Sequence, residues 1–175
     1  MRRLISKLRR GRRDEDGAIT VDFVITFPIF FMFLFASFEL SFVMMRQVLL
    51  DRGVEMAVRE VRLNSFNPPE YDELKRMICE GAGLIPNCDN ALKLEMYRED
   101  PRGTLFLKPE PDCIDRSLPV QPASIYETGG PNEIMVVTAC VKYMPFFPTA
   151  RLGETIVDEF GEYGLVATNM YVTEP

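Results

Sequence analysis

The chain opens with a polar, basic segment and then changes to a long apolar run. Residues 18–45 read AITVDFVITFPIFFMFLFASFELSFVMM, and the charged residues among them are Asp22 and Glu39. As an α-helix this run would be about 42 Å long, at about 1.5 Å per residue, whereas the hydrocarbon core of a bilayer is about 30 Å thick. The pattern therefore predicts a transmembrane helix over residues 18–45.

Residues 1–17 predict a basic cytoplasmic leader. The first 13 residues contain seven Lys and Arg residues and no acid, and Arg46 follows the apolar run. The positive-inside rule then places the N-terminus in the cytoplasm and everything after the span outside it. A secretory signal peptide is the first alternative, but its apolar region has about 7 to 15 residues and ends at an A-x-A site, which this run lacks. An uncleaved membrane anchor is the second alternative.

Beyond the span the apolar positions take the period of an amphipathic helix. In residues 46–66 they are spaced among charges, which predicts a stalk helix continuing the span; they are Val48, Leu49, Ala57, Val58 and Val61. Gly53 is a weak point in such a helix, by about 1 kcal/mol relative to Ala. The triplet Asn67-Pro68-Pro69 ends the stalk, so that residues 67–175 remain for an extracytoplasmic head domain.

The apolar pattern of the head domain predicts an α+β fold. Residues 71–80 have the pattern of a short helix, ended by Gly81 and Gly83. Alternating or continuous apolar positions then predict strands at 92–96, 134–143 and 165–173 of a small antiparallel sheet. The Pro-, Gly- and acid-rich residues 99–132 predict a variable contact loop or a loosely ordered segment.

The composition argues against several classes of function. The chain has no His, which removes the usual general base near neutral pH and the commonest zinc ligand. From Arg46 onward 21 acidic residues outnumber 13 basic ones, so we expect no nucleic-acid partner. A carboxylate dyad is the remaining enzymatic alternative, but no motif places two acids together. We therefore expect a non-catalytic protein that needs no metal and no cofactor.

Four cysteines, all beyond the predicted span, predict two disulfides in an oxidising compartment. Of the three possible pairings we favour Cys79 with Cys88, closing the turn between helix and strand, and Cys113 with Cys140, tying the long loop to the central strand. A zinc site is the alternative, but the spacing lacks paired C-x2-4-C units.

The acid near the start of the predicted span is a functional candidate. A carboxylate costs roughly 2.5 to 3.5 kcal/mol at the bilayer centre, less near the interface, and so usually has a partner. Gly17, Ala18 and Asp22 resemble the processing region of type IV pilins, in which a prepilin peptidase cuts after Gly and the fifth mature residue is acidic. The resemblance implies cleavage between Gly17 and Ala18, and neutralisation of the new N-terminus by Asp22 in the same chain or the next subunit. The pair usual in Flp pilins is Glu-Tyr, whereas this chain has Asp22-Phe23.

The longer segment resembles the TadE/TadF-like proteins of the tight-adherence (Tad, or Flp) pilus. The features that carry the resemblance are Pro28, Glu39, the Ala57-Val58-Arg59-Glu60 stretch and the C-terminal YGLVATNMYVTEP. It implies a minor pilin or pilus assembly protein of the bacterial inner membrane that supports pilus biogenesis and adhesion. The implied partners are the membrane, the prepilin peptidase, other pilin-like subunits and Tad assembly proteins.

Two polar points of the span have simpler interpretations. Pro28 predicts a helix kink, because it removes one backbone hydrogen bond. We interpret Glu39 as the outer end of the helix reaching water, with a subunit contact as the alternative. The functional alternative is an uncleaved single-pass subunit of an envelope complex or sensor, with a periplasmic domain.

Overall fold

The computed structural model describes residues 16–64, 66–100, 111–114, 121, 123–147 and 157–174. Most of the predicted leader and much of the predicted contact loop lie outside the described residues. In chain order the elements are α1 (Asp16–Leu63), α2 (Tyr71–Ala82), α3 (Cys88–Ala91), β1 (Leu92–Glu99), β2 (Ile134–Tyr143) and β3 (Tyr163–Val172). The chain divides into two units, Met1–Phe38 and Glu39–Pro175.

The described part of the first unit is the beginning of α1. Residues 19–30 are exposed on every side of the helix, although most of them are apolar. Rings four residues apart contact one another along it, with centroids 4.9 Å apart for Phe23 and Phe27 and 4.4 Å apart for Phe27 and Phe31. Among the described residues one helix is long and apolar enough to cross a membrane, Ile19–Leu63, with a mean hydropathy of 2.2 in its most apolar window. The predicted long apolar helix is confirmed.

The second unit contains an antiparallel sheet of three described strands in the order β1-β2-β3. Leu92 pairs with Val141 and Glu99 with Ile134, while Tyr143 pairs with Tyr163 and Ile134 with Val172. The three predicted strands and the α+β class are confirmed. The observed β1 runs three residues further than predicted, and β3 begins two residues earlier.

The second part of α1 packs against this sheet and shares one core with it. Leu50, Val54 and Ala57 are buried on the helix, and Leu94 and Val137 are buried on the sheet. The sequence expectation was partly wrong here. Val48 is 65% exposed, and the buried apolar stripe instead begins with Leu50. Leu50 has the i, i+4, i+7 spacing of one helical face with Val54 and Ala57, whereas Val48 lies off that face.

Gly53 is a contact point between helices rather than a weak point. A Cβ added there would lie 2.6 Å from the carbonyl oxygen of Ile78, and one added to Gly81 would lie 2.8 Å from the Cα of Gly53. Real Cβ atoms do not approach other atoms so closely. The backbones of α1 and α2 therefore touch, and a missing side chain on each helix permits the contact.

Two disulfides join the less regular parts of the second unit to its elements. Cys79 in α2 bonds Cys88 at the start of α3, and Cys113 bonds Cys140 in β2. This is the pairing that the sequence favoured. Cys140 lies on β2 between the core residues Ala139 and Val141, on the face opposite to theirs, so the second bond holds residues 111–114 over the outer face of the sheet.

Candidate functional site on the long helix

The residues predicted for processing lie in the first turns of α1. The helix begins at Asp16 and includes Gly17 and Ala18. Asp22 and Phe23 are both exposed on it. An exposed carboxylate on an apolar helix is open to a partner outside this unit, and its role stays a prediction. The helix is continuous through Pro28, and the predicted kink likewise stays a prediction.

Glu39 has surroundings unlike those of Asp22. Its side chain is completely buried within the second unit. Its two carboxylate oxygens accept hydrogen bonds from the backbone N–H groups of Phe146 at 3.1 Å and Phe147 at 3.0 Å. The hydroxyl of Tyr163 lies 3.5 Å from the first of these oxygens. The expectation that Glu39 reaches water was therefore wrong, because the segment after β2 returns to the helix and covers it.

The local sequence explains why this segment binds a carboxylate. It reads Met144-Pro145-Phe146-Phe147 and directly follows β2. Pro145 cannot donate a hydrogen bond and restricts its own backbone, after which two consecutive N–H groups are free of the sheet. Successive N–H groups that point to one place form a concave anion site. A carboxylate that accepts both makes charge-assisted hydrogen bonds, which are shorter and stronger than neutral ones.

Arg46 lies two helical turns after Glu39, on the same face of α1. Its guanidinium carbon is 4.3 Å from the ring centroid of Tyr143 and 4.8 Å from that of Phe146, and the residue is buried. The ring of Phe146 also contacts that of Phe42, with centroids 4.6 Å apart. The cation is thus held by aromatic faces, a favourable contact when water is excluded.

Tyr143 and Tyr163, the two tyrosines close to Glu39 and Arg46, stay protonated at physiological pH. Burial raises the pKa of Tyr163, and the adjacent Tyr143 and the Glu39 carboxylate raise it further. Burial also raises the pKa of Tyr143, although Tyr163 and Arg46 oppose the shift. A protonated Tyr163 hydroxyl is a donor, which suits its position beside a carboxylate. The arrangement fixes the helix to the sheet.

We call the group formed by Glu39, Arg46, Tyr143, Phe146 and Tyr163 the junction cluster. Sequence analysis singled out Glu39 but not the other four residues. One signal was available, because an acid, an aromatic residue and a base at positions 39, 42 and 46 share one helical face. The pattern does not reveal which distant segment meets that face, so the donors at residues 146 and 147 could not be found from it.

Comparison with known proteins finds a match for the part of α1 that contains Asp22, Glu39 and Arg46. Residues 17–59 match the family model of the TadE-like proteins. The resemblance to this family is confirmed. The matched segment begins at Gly17 and includes Asp22, Pro28 and Glu39, and it supports a protein associated with the Tad pilus. No curated protein and no solved structure shows a significant match to the chain.

Proposed function

We propose that this chain is a TadE-like minor pilin or pilus assembly protein of the Tad (Flp) machinery, with a non-catalytic role in pilus biogenesis and adhesion. The observation that carries the proposal is the family match over residues 17–59, which coincides with the long apolar helix. In this role the helix holds the protein in the bacterial inner membrane. The second unit is then available to other pilin-like subunits and Tad assembly proteins.

The proposed topology places the N-terminus in the cytoplasm and residues 67–175 in the periplasm. The basic residues before the helix support it through the positive-inside rule. Two disulfides in the second unit also support it, since such bonds persist in oxidising compartments. Alkaline phosphatase fused after residue 174 should be active in cells. An inactive fusion beside an active C-terminal fluorescent fusion would reverse the orientation.

The proposed processing is cleavage between Gly17 and Ala18 by a prepilin peptidase. Asp22 would then lie about one helical turn from the new ammonium group and offset its charge. N-terminal sequencing of the membrane-extracted protein should begin at Ala18. An Asp22→Glu variant should be processed and assembled, and Asp22→Ala should separate the two roles of the carboxylate. If the first 17 residues are retained, the chain is not a peptidase substrate.

Gene deletion tests the pilus role itself. Cells without the protein should lose surface pili and adhere less, and expression of the intact chain should restore both. The departure of Asp22-Phe23 from the usual Glu-Tyr pair favours one second candidate, an uncleaved single-pass subunit of an envelope complex or sensor. Normal pili in the deletion strain would favour that second function.

A further inference from the structure

One end of the sheet in the second unit exposes large apolar side chains. Tyr143 ends β2 and pairs with Tyr163, which begins β3. The segments 144–147 and 157–162 therefore meet at the same end of the sheet. They carry Met144 at 64% exposure, Phe146 at 52% and Phe160 at 53%.

This end of the sheet lies beside the part of α1 with which the second unit begins, just after Glu39. The backbone N–H of Phe146 binds Glu39, and its ring contacts that of Phe42. At this level of the helix Leu40 and Met44 are themselves about half exposed. We call the exposed residues Leu40, Met44, Met144, Phe146 and Phe160 the apolar collar.

Hydrogen bonds hold the two loops of the collar in place. The Asp158 carboxylate accepts bonds from the backbone N–H groups of Phe160 and Glu162, each at 3.0 Å, and from Lys142 Nζ at 2.7 Å. Gly161 completes this turn with a φ of 74°, in the left-handed region that favours glycine. Glu39 fixes the other loop. The exposed rings are thus presented by ordered backbone rather than by fraying ends.

We propose that the apolar collar lies in the interfacial layer of the outer face of the membrane and seats the second unit directly on the lipid. The inference rests on the proposed membrane span. Its argument is continuity: the 20 residues from Ile19 to Phe38 make about 30 Å of helix, the thickness of the hydrocarbon core. Leu40 and Met44 then begin where the hydrocarbon ends, and the loop residues of the collar lie at the same level.

The charges near the collar agree with a lipid surface. Glu39 and Arg46 are covered by protein, so neither has to enter the bilayer as an unpartnered charge. Aromatic side chains are favoured at the boundary between hydrocarbon and water. Glu159, exposed in the same turn as Phe160, adds a negative charge, so the lipid that fits is zwitterionic rather than anionic.

The absence of Trp from the chain allows a direct test, because any introduced Trp is the only one. Phe146→Trp and Phe160→Trp are made in the full chain and reconstituted in phosphatidylcholine bilayers, with or without bromine on the acyl chains. Phe66→Trp is the matched control. Phe66 is 94% exposed and follows the end of α1, roughly 36 Å of helix beyond Glu39. Phe30→Trp, within the span, reports whether the helix is inserted.

Trp at positions 146 and 160 should lose fluorescence in brominated bilayers, more with bromine near the glycerol end than near the terminal methyl, while Trp at position 66 should not. Blue-shifted emission that brominated lipid leaves unchanged would overturn the inference in favour of a protein surface, such as a second copy. Emission typical of water would also overturn it. If Trp at position 30 is unquenched, the membrane span itself fails; if it is quenched and positions 146 and 160 are not, only the collar fails.

Discussion

The two parts of α1 have the same backbone structure but different surroundings. Up to Phe38 the helix exposes apolar side chains on most of its surface, whereas from Glu39 onward it buries one stripe in the core of the second unit. A helix that is apolar all round needs an apolar environment on every side, and an amphipathic helix needs one on a single face. The first part is therefore suited to an apolar environment on every side, such as the proposed membrane, whereas the second part is stabilised by contacts within its own chain.

The two acids of the apolar run show the same contrast. Asp22 is exposed, and Glu39 is completely buried with two backbone N–H donors on its carboxylate. A buried charge is tolerated only where hydrogen bonds replace its water. Glu39 is consequently a structural residue of this chain, whereas the role proposed for Asp22 depends on the new N-terminus of the same chain or of the next subunit.

The largest contrast should come from apolar truncation on the two faces of α1. Leu50→Ala should lower the free energy of unfolding of the second unit by roughly 2 to 5 kcal/mol, since it leaves a cavity in the core. Val48→Ala is the matched control on the exposed face and should change it by less than about 0.5 kcal/mol. Denaturant titration in detergent micelles, followed by far-ultraviolet circular dichroism, measures both. Equal effects would contradict the division of the helix into a buried and an exposed face.

The second-largest difference should come from neutralising each of the two acids in turn. Glu39→Gln should cost roughly 1 to 3 kcal/mol, because an amide has one acceptor oxygen for two buried N–H donors. Asp22→Asn should leave the unfolding of the second unit unchanged. Hydrogen exchange of the Phe146 and Phe147 amides provides a local measurement, and both should exchange faster only in the first variant. Unchanged protection there would mean that Glu39 does not hold this loop.

For Gly53→Ala, packing and helix propensity predict changes in stability of opposite sign. In a free helix Gly53→Ala would stabilise by about 1 kcal/mol. Here the added Cβ meets the backbone of α2, so we expect destabilisation of about 1 to 3 kcal/mol instead. The same denaturant titration decides the sign. A more stable Gly53→Ala variant would show that α1 and α2 do not approach as closely as described.

The smallest effect should be the pH dependence of the turn that carries Phe160. The hydrogen bond from Lys142, followed by those from the backbone of Glu162 and Phe160, lowers the pKa of Asp158 below its ordinary value of 3.8. A lowered pKa stabilises the fold above 3.8, and this contribution is lost as the pH falls through the lower folded value. The pair is partly exposed, so Asp158→Asn should cost less than about 1 kcal/mol near neutral pH and less still in acid. A cost that grows on acidification would contradict the assignment.

Much of the architecture could be predicted because its causes are local. The strands around Met96 and Val137 and the disulfide pairing follow from periodicity and cysteine position. The junction cluster could not be predicted in the same way. It joins Glu39 to donors more than 100 positions later, and no local pattern states that the segment after β2 turns back to the helix.

The sequence by itself determined the apolar helix, the acidic α+β unit that follows it and the resemblance of residues 17–59 to TadE-like proteins, because composition and period act within one element. Only the tertiary structure decided that Glu39 is buried and that Gly53 is a helix contact. These features depend on which surfaces meet across the chain. Their physical reason is the need to give every buried polar group a partner and to fill the space between packed elements.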